Sequence, residues 1–279
     1  MKTEKQLIGS WYEVQEIAPD VFWIKEPGLV SFYLFKDKKQ GLFIDTGLGL
    51  SENAFKELLS HFDLTQFEVI CTHAHCDHIG FNSFARICFI SQIEFEKFKY
   101  QNEDKQLKYF LENLNENALT PLILQRQNNK LIGELSWNPT GYLSAGDIYN
   151  FSKWSFEVIA TPGHTSGSLS FYERSLNYIF VGDLVYSGTM YLHLKDSDND
   201  DFANSLDLIL SIIDKNPNIK IWPAHNEIPL NVQLIEETRE VFEMIQKGLI
   251  SSSRIIPKDK IFEEGQLFIS GLVKIIKKT

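Results

Sequence analysis

Apolar and polar positions along the chain fall into short runs divided by turn residues. LVSFYLF (29–35) and GLFIDTG (41–47), either side of the turn-like KDKKQG, predict a hairpin of two strands ending at Asp45 and Gly47. The first fifty residues read as β-structure. Ser51 is the expected N-cap of a helix through SENAFKELLSHF, and FEVICT (67–72) and ARICFIS (85–91) read as strands. From 92 to about 117 the pattern is charged and helical, with aromatics at 95, 98, 109 and 110. The stretch 120–150, with Pro121, Gly133, Pro139 and Gly141, shows no single period. Strands return at WSFEVIAT (154–161), SLSFYE (168–173) and NYIFVGD (177–183), with a turn at RSLN between the last two. A helix over 202–214, a strand at IKIWPAH (219–225) and a helix over 231–247 complete the reading. The order is β-rich, α, β-rich, α. It predicts two mixed sheets packed face to face with helices outside, and neither an internal repeat nor a low-complexity segment interrupts it.

Composition narrows the class. The 279 residues are 43% hydrophobic and 23% charged, enough for one large α/β domain or a domain with a cap. The 21 phenylalanines are mostly expected in the core. A net charge of −10 with no offsetting basic patch argues against a nucleic-acid partner. No apolar run reaches the roughly 18 residues of a membrane span. The opening MKTEKQLIGSW lacks an apolar h-region, and Cys71, Cys76 and Cys88 are an odd number. A reducing cytoplasm and no disulfide framework are therefore expected.

The chemistry concentrates in VICTHAHCDHIGF (69–81), which holds three of the seven histidines and an aspartate within six positions. In an extended segment His73 and His75 share a side, while Asp77 and His78 point apart unless the chain turns there. Ile79 and Gly80 suit such a turn. Imidazole nitrogens with carboxylate oxygens are the ligand set of catalytic zinc, and also of iron or manganese, and this spacing suits two neighbouring ions better than one. Three further metal-capable groups end apolar strands: His164 in TPGHTSGS, Asp183 after YIFVG, and His225 in IKIWPAH. The C-terminal ends of strands are where α/β sheets carry function.

H-A-H-C-D-H followed in order by His164, Asp183 and His225, with Asp45 ahead of it, resembles the metallo-β-lactamase superfamily over residues 20–230. The resemblance implies a four-layer αββα sandwich with a binuclear site. The chain is then one domain, 1–279, with 92–150 as an inserted cap that sets substrate choice. On matching positions, His73, His75 and His164 would hold one Zn2+, Asp77, His78 and His225 a second, and Asp183 would bridge them, with iron or manganese as alternatives. Asp45 would orient the site without binding metal. Such ions acidify a shared water and polarise the bond under attack, and Asp77 would carry the proton to the leaving group.

Departures within the superfamily select a branch. The β-lactamases lack an aspartate at the place of Asp183 and are exported. Flavo-diiron oxidoreductases carry glutamate where this chain has His75. An acidic balance without a basic arm counts against RNA processing. The reading that remains is hydrolysis of an ester-type bond (thioester, lactone or carboxylic ester), as in the hydroxyacylglutathione hydrolases, acyl-homoserine lactonases and acyl-CoA thioesterases that carry similar ligand sets. The substrate is a small molecule, with an apolar acyl group if Phe95, Phe98, Tyr109 and Phe110 form a wall. Alternatives are an iron-dependent persulfide dioxygenase, a phosphodiesterase or a non-catalytic metal protein. Tyr186 in GDLVYSG stands where similar lactonases carry a tyrosine. It is either a donor to the substrate oxygen or a packed loop residue bonded to backbone. Tyr191 and His193 are either pocket or surface, and Cys76 a neutral loop residue. DSDNDD (196–201) lacks the glycine and glutamate of a calcium loop and reads as a solvated helix start.

Overall fold

A computed structural model of the chain describes residues 4–9, 11–26, 30–98, 137–258 and 263–278. Chain contacts separate two compact units, Met1–Ile90 with Phe98–Tyr142, and Ser91–Lys97 with Leu143–Thr279.

The first unit is built on eight strands: β1 (Gln6–Ile8), β2 (Tyr12–Ala18), β3 (Val21–Lys25), β4 (Ser31–Asp37), β5 (Gln40–Ile44), β6 (Gln66–Ile70), β7 (Ile87–Ser91) and β8 (Gly141–Leu143). They lie side by side in chain order. The expected hairpin is β4–β5, antiparallel, with Leu34 opposite Phe43. After β5 the chain crosses over through helix α1 (Glu52–His61) and returns as β6, parallel to β5 with Ile44 beside Ile70. Ser51 caps α1 as its sequence implies, its side chain accepting from the Ala54 amide at 3.2 Å. Parallel strands release their following residues at the same end. Asp45 and the Thr72–His78 loop therefore emerge together, tied by the Asp45 amide on the Ile70 carbonyl at 3.1 Å.

Phenylalanines fill the space beneath. Phe55 of α1 stacks on Phe81 with ring centres 4.0 Å apart, and Phe43 meets Phe67 edge-on at 5.2 Å. Each such buried ring stabilises the unit by about 1.5–3 kcal/mol relative to exposure. The loops after β5 and β6 are locked by glycine. A Cβ on Gly80 would lie 2.1 Å from the Gly49 nitrogen, and Gly49 itself has φ +70°. Only two glycines allow this backbone-to-backbone approach.

The second unit begins with helix α2 (Gln92–Phe98) and continues through β9 (Ile148–Phe151), β10 (Trp154–Ala160), β11 (Leu169–Glu173), β12 (Tyr178–Gly182) and β13 (Gly188–Leu192). Helix α3 (Asn199–Lys215), β14 (Lys220–Pro223), helix α4 (Val232–Gln246), β15 (Arg254–Ile256), β16 (Gly265–Ser270) and β17 (Val273–Lys278) follow. One sheet has the order β14-β12-β11-β10-β9, the other β13-β17-β16-β15. The parallel pair β12/β14 sets Gly182 beside Pro223, so Asp183 and His225 leave at one end.

The core of this unit joins Phe202, Leu206 and Ile209 of α3 with Ile235 and Phe242 of α4 and with Met190, Leu192, Phe268 and Ile275 of the four-stranded sheet. DSDNDD is a helix start, as expected: Asp198 caps α3 and accepts from the Asp200 and Asp201 amides at 2.9 Å. The pattern of the sequence implies two sheets, whereas the described residues form three. The third arises because β13 pairs with β17, some eighty positions away (Gly188 beside Val273). Within 92–150, α2, β8 and β9 are regular elements, and residues 99–136 lie outside the described part.

Candidate metal centre

The turn that His78 requires is present: its amide donates to the His75 carbonyl at 2.9 Å. The turn swings His78 under Asp45, where Nδ1 meets Asp45 Oδ2 at 2.9 Å in a fully buried pair. Asp45 also accepts from the Thr72 amide (2.8 Å) and the Thr72 hydroxyl (2.7 Å). Its backbone, at φ +61°, is in the left-handed region that aspartate tolerates better than most residues.

These contacts fix tautomers. An ionised carboxylate only accepts, so the Thr72 hydroxyl hydrogen points to Asp45 and its oxygen accepts from His73 Nδ1, 3.0 Å away. His73 and His78 therefore both present Nε2 as a lone pair. His73 Nε2 lies 2.9 Å from His75 Nδ1. This spacing fits a hydrogen bond or two lone pairs converging on one cation, since bonds of about 2.0–2.1 Å give a tetrahedral edge of roughly 3.3 Å. Asp77 Oδ2 stands 3.6 Å from His78 Nε2.

Burial and the Asp45 charge raise the Tyr33 phenol well above its usual range. Burial, the neighbouring Cys88 thiol and Asp45 do the same for the Cys71 thiol. All three cysteines are free and buried, and the Cys71 and Cys88 sulfurs are 3.8 Å apart.

In the second unit the TPGHTSGS loop is held at several points. His164 Nδ1 donates to the Tyr191 carbonyl at 2.9 Å, which again leaves Nε2 as the lone pair. The Ser197 hydroxyl donates to the His164 carbonyl at 2.8 Å, and the Gly167 amide donates to the buried Glu94 at 2.9 Å. Asp183 Oδ2 lies 3.5 Å from His164 Nε2 and 3.1 Å from His225 Nε2. One carboxylate oxygen thus stands between two histidines.

Tyr186 is buried, donates its hydroxyl to the Thr189 carbonyl at 2.9 Å and packs its ring 5.0 Å from that of His225. His193 is buried and stacks on Tyr191, ring centres 5.9 Å apart. Phe95 is buried, while the Phe98 side chain, Tyr109 and Phe110 lie outside the described residues.

Four groups without a signal in the sequence brace these histidines and aspartates or their loops: Thr72, the Tyr191 carbonyl, Glu94 and Glu26. Glu26 is fully buried and accepts from Trp11 Nε1 (3.2 Å) and from the Leu48 amide (2.7 Å) in the loop after Asp45. Only the capacity of a lone glutamate to be buried could have flagged Glu26 or Glu94. Histidine and aspartate side chains of the kind that hold divalent metal stand in both units. Among the described residues no helix is long and apolar enough to cross a membrane.

The model of the metallo-β-lactamase superfamily matches residues 26–225. The acyl-coenzyme A thioesterase MBLAC2 of Homo sapiens is 25% identical over 233 residues, covering 77% of this chain and 81% of the relative. The hydroxyacylglutathione hydrolase GloC of Haemophilus influenzae is 27% identical over 160 residues, covering 56% and 66%. A metallo-β-lactamase family protein of Thermus thermophilus superposes with a TM-score of 0.60 at 20% identity, over 86% of this chain and 85% of that one, which supports the fold. The chain has the mixed α/β metallo-β-lactamase fold and belongs to the metallo-β-lactamase superfamily.

Proposed function

We propose that this chain is a metallo-hydrolase of ester-type bonds, acting on a thioester, with two divalent ions, zinc before iron or manganese. The observation that carries the two-ion reading is the position of Asp183 Oδ2, 3.5 Å from His164 Nε2 and 3.1 Å from His225 Nε2, two ligands that the superfamily pattern assigns to different ions. The donor chemistry fits: His73, His78 and His164 each tie Nδ1 to an oxygen and leave Nε2 as a lone pair. His73, His75 and His164 would hold one ion, Asp77, His78 and His225 the other, with Asp183 shared.

Bound there, the ions supply an acidified water at neutral pH and a polarised carbonyl. The protein's own residues do the rest. Asp45 and Thr72 keep the Nδ1 protons of His78 and His73 in place, so those rings do not turn a proton toward a cation. Asp77, buried with Oδ2 3.6 Å from His78 Nε2, would pass the proton to the departing sulfur, giving acid and thiol. Thioesters come first because the relatives are named an acyl-coenzyme A thioesterase and a hydroxyacylglutathione hydrolase.

A panel holding the acyl group constant across a CoA thioester, an S-acylglutathione, a lactone and a phosphodiester tests this. Turnover of thioesters that is abolished by a chelator and restored by zinc is expected. Turnover of the phosphodiester alone would overturn it.

A further inference from the structure

In the four-stranded sheet, register assigns every side chain to a face. Met190, Leu192, Phe268 and Ile275 belong to the core beneath. The alternate positions form the other face. There Tyr191 is beside Ile276, Ile276 opposite Leu267, and Leu267 opposite Arg254, which makes one row across all four strands. A flanking row runs from Thr189 through Lys274 to Ile269.

The row has a direction. At one end the Tyr191 carbonyl holds His164, and the Tyr191 ring, 41% exposed, is stacked with His193. His193 fits because Gly265 lies below it; a Cβ there would come 3.1 Å from the His193 Cβ and 2.7 Å from Ile276. In the middle Leu267 is half-buried and Ile276 is buried at 7% exposure, while Ile269 beside them is 47% exposed. Arg254 closes the far end, about 14 Å away at three strand spacings of about 4.8 Å.

The charge on these strands is one-sided. They carry Arg254, Lys274, Lys277 and Lys278 and no acid, in a chain with 37 acidic and 27 basic residues. Arg254 and Lys274 have no ion-pair partner among the described residues, and both are exposed. An aromatic and apolar track that begins at a ligand loop, passes Lys274 on its flank and ends at Arg254 suits a molecule whose anionic group sits a linker away from the bond to be cut. A fatty acyl tail, ending in a methyl, would leave the arginine without purpose. A second copy docked through the same face would bring Arg254 and Lys274 against a surface whose strands carry no acid, which costs binding.

We infer that this face of the four-stranded sheet is the seat of the phosphorylated carrier arm of the thioester. Tyr191, Leu267 and Ile269 lie under the arm, with Ile276 buried between them, and Arg254 and Lys274 pair with its phosphate. The inference rests on the thioester reading above and adds the carrier to it.

The test uses the full chain loaded with zinc and one acyl group on two carriers, coenzyme A and the phosphate-free N-acetylcysteamine. With Arg254→Glu combined with Lys274→Glu, the preference for the CoA thioester in kcat/KM should fall about tenfold or more, through KM, as expected for reversing exposed steering charges. Wild-type KM for the CoA substrate should also rise with salt, and that dependence should flatten in the variant. An unchanged preference overturns the seat while leaving hydrolysis standing. If neither thioester is turned over, the functional reading has failed, and the seat is judged by calorimetry with a non-hydrolysable CoA thioether. Binding that the double variant weakens about tenfold supports the seat. Absent or insensitive binding overturns it. A double variant that alters sedimentation instead of carrier preference, or wild-type retention by anionic phosphatidylserine vesicles that the thioether does not compete, would assign the face to another copy or to a membrane and would also overturn it.

Discussion

Asp45→Asn isolates the group that the account makes responsible for ligand tautomers. Asparagine also tolerates the left-handed backbone at this position, so φ +61° introduces little new strain. What changes is the acceptor count. Asp45 receives three hydrogen bonds, from the Thr72 amide, the Thr72 hydroxyl and His78 Nδ1. The asparagine side chain has one oxygen, and its NH2 must replace either Oδ1, which accepts from the Thr72 amide, or Oδ2, which accepts from both the Thr72 hydroxyl and His78 Nδ1. A buried hydrogen bond to a charged group is worth about 1.5–3 kcal/mol, and at least one is lost. The Thr72 hydroxyl, released from the carboxylate, can donate to His73 Nδ1 and push that ring's proton onto Nε2, the nitrogen needed for metal. Loss of a group that orients ligands typically weakens metal binding about 10–100-fold. Titrating metal-free protein with zinc against a chromophoric chelator reads that affinity, and nitrogen NMR of the histidine rings reads the tautomers. Zinc affinity within twofold of wild type, with His73 still protonated at Nδ1, would refute the tautomer argument.

Gly80→Ala should cost about 3 kcal/mol or more and give insoluble protein, because its Cβ would strike the Gly49 backbone, which cannot move aside like a side chain. A melting curve close to wild type would contradict it. The Cys71 thiol, pushed up by burial, is protonated at neutral pH and Cys88 and Cys76 are buried with it, so a thiol reagent at pH 8 should label none of them before denaturant is added. One fast-reacting thiol per chain would count against the packing. Tyr186→Phe keeps the ring against His225 and removes only the bond to the Thr189 carbonyl, so kcat should fall less than about tenfold, in line with one neutral hydrogen bond. A hundredfold fall with metal content unchanged would make the phenol a donor to substrate.

What the sequence disclosed follows from how locally each feature is encoded. Strands β4 to β7 and β10 to β12 are apolar or alternating runs bounded by turn residues, and Asp45, His73, His164 and Asp183 follow β5, β6, β10 and β12. Ser51 and Asp198 announce their helices because capping is a matter of two or three residues. Strand β13, GTMYL, carries no such signal. It becomes a strand only by pairing with β17 near the C-terminus, and the sheet face that results is invisible without that register. The support of these side chains and loops was hidden for the same reason. Asp45 reaches His78 across 33 positions and Glu94 reaches Gly167 across 73, so neither partnership leaves a spacing that sequence reasoning can use. Tyr186 shows the converse case: its offset from Asp183 is legible, but the direction of its hydroxyl depends on the Thr189 backbone.

The central claim is that two ions held by His73, His75, His164, Asp77, His78, His225 and Asp183 work together on a thioester. The direct measurement is a titration of metal-free protein with zinc, following bound metal and thioester turnover in the same samples. Turnover rising to a plateau at two equivalents is expected, with His225→Ala stopping near one equivalent and losing orders of magnitude in kcat while its melting transition persists. Full turnover at one equivalent, or His225→Ala with two ions and wild-type rate, would contradict the account.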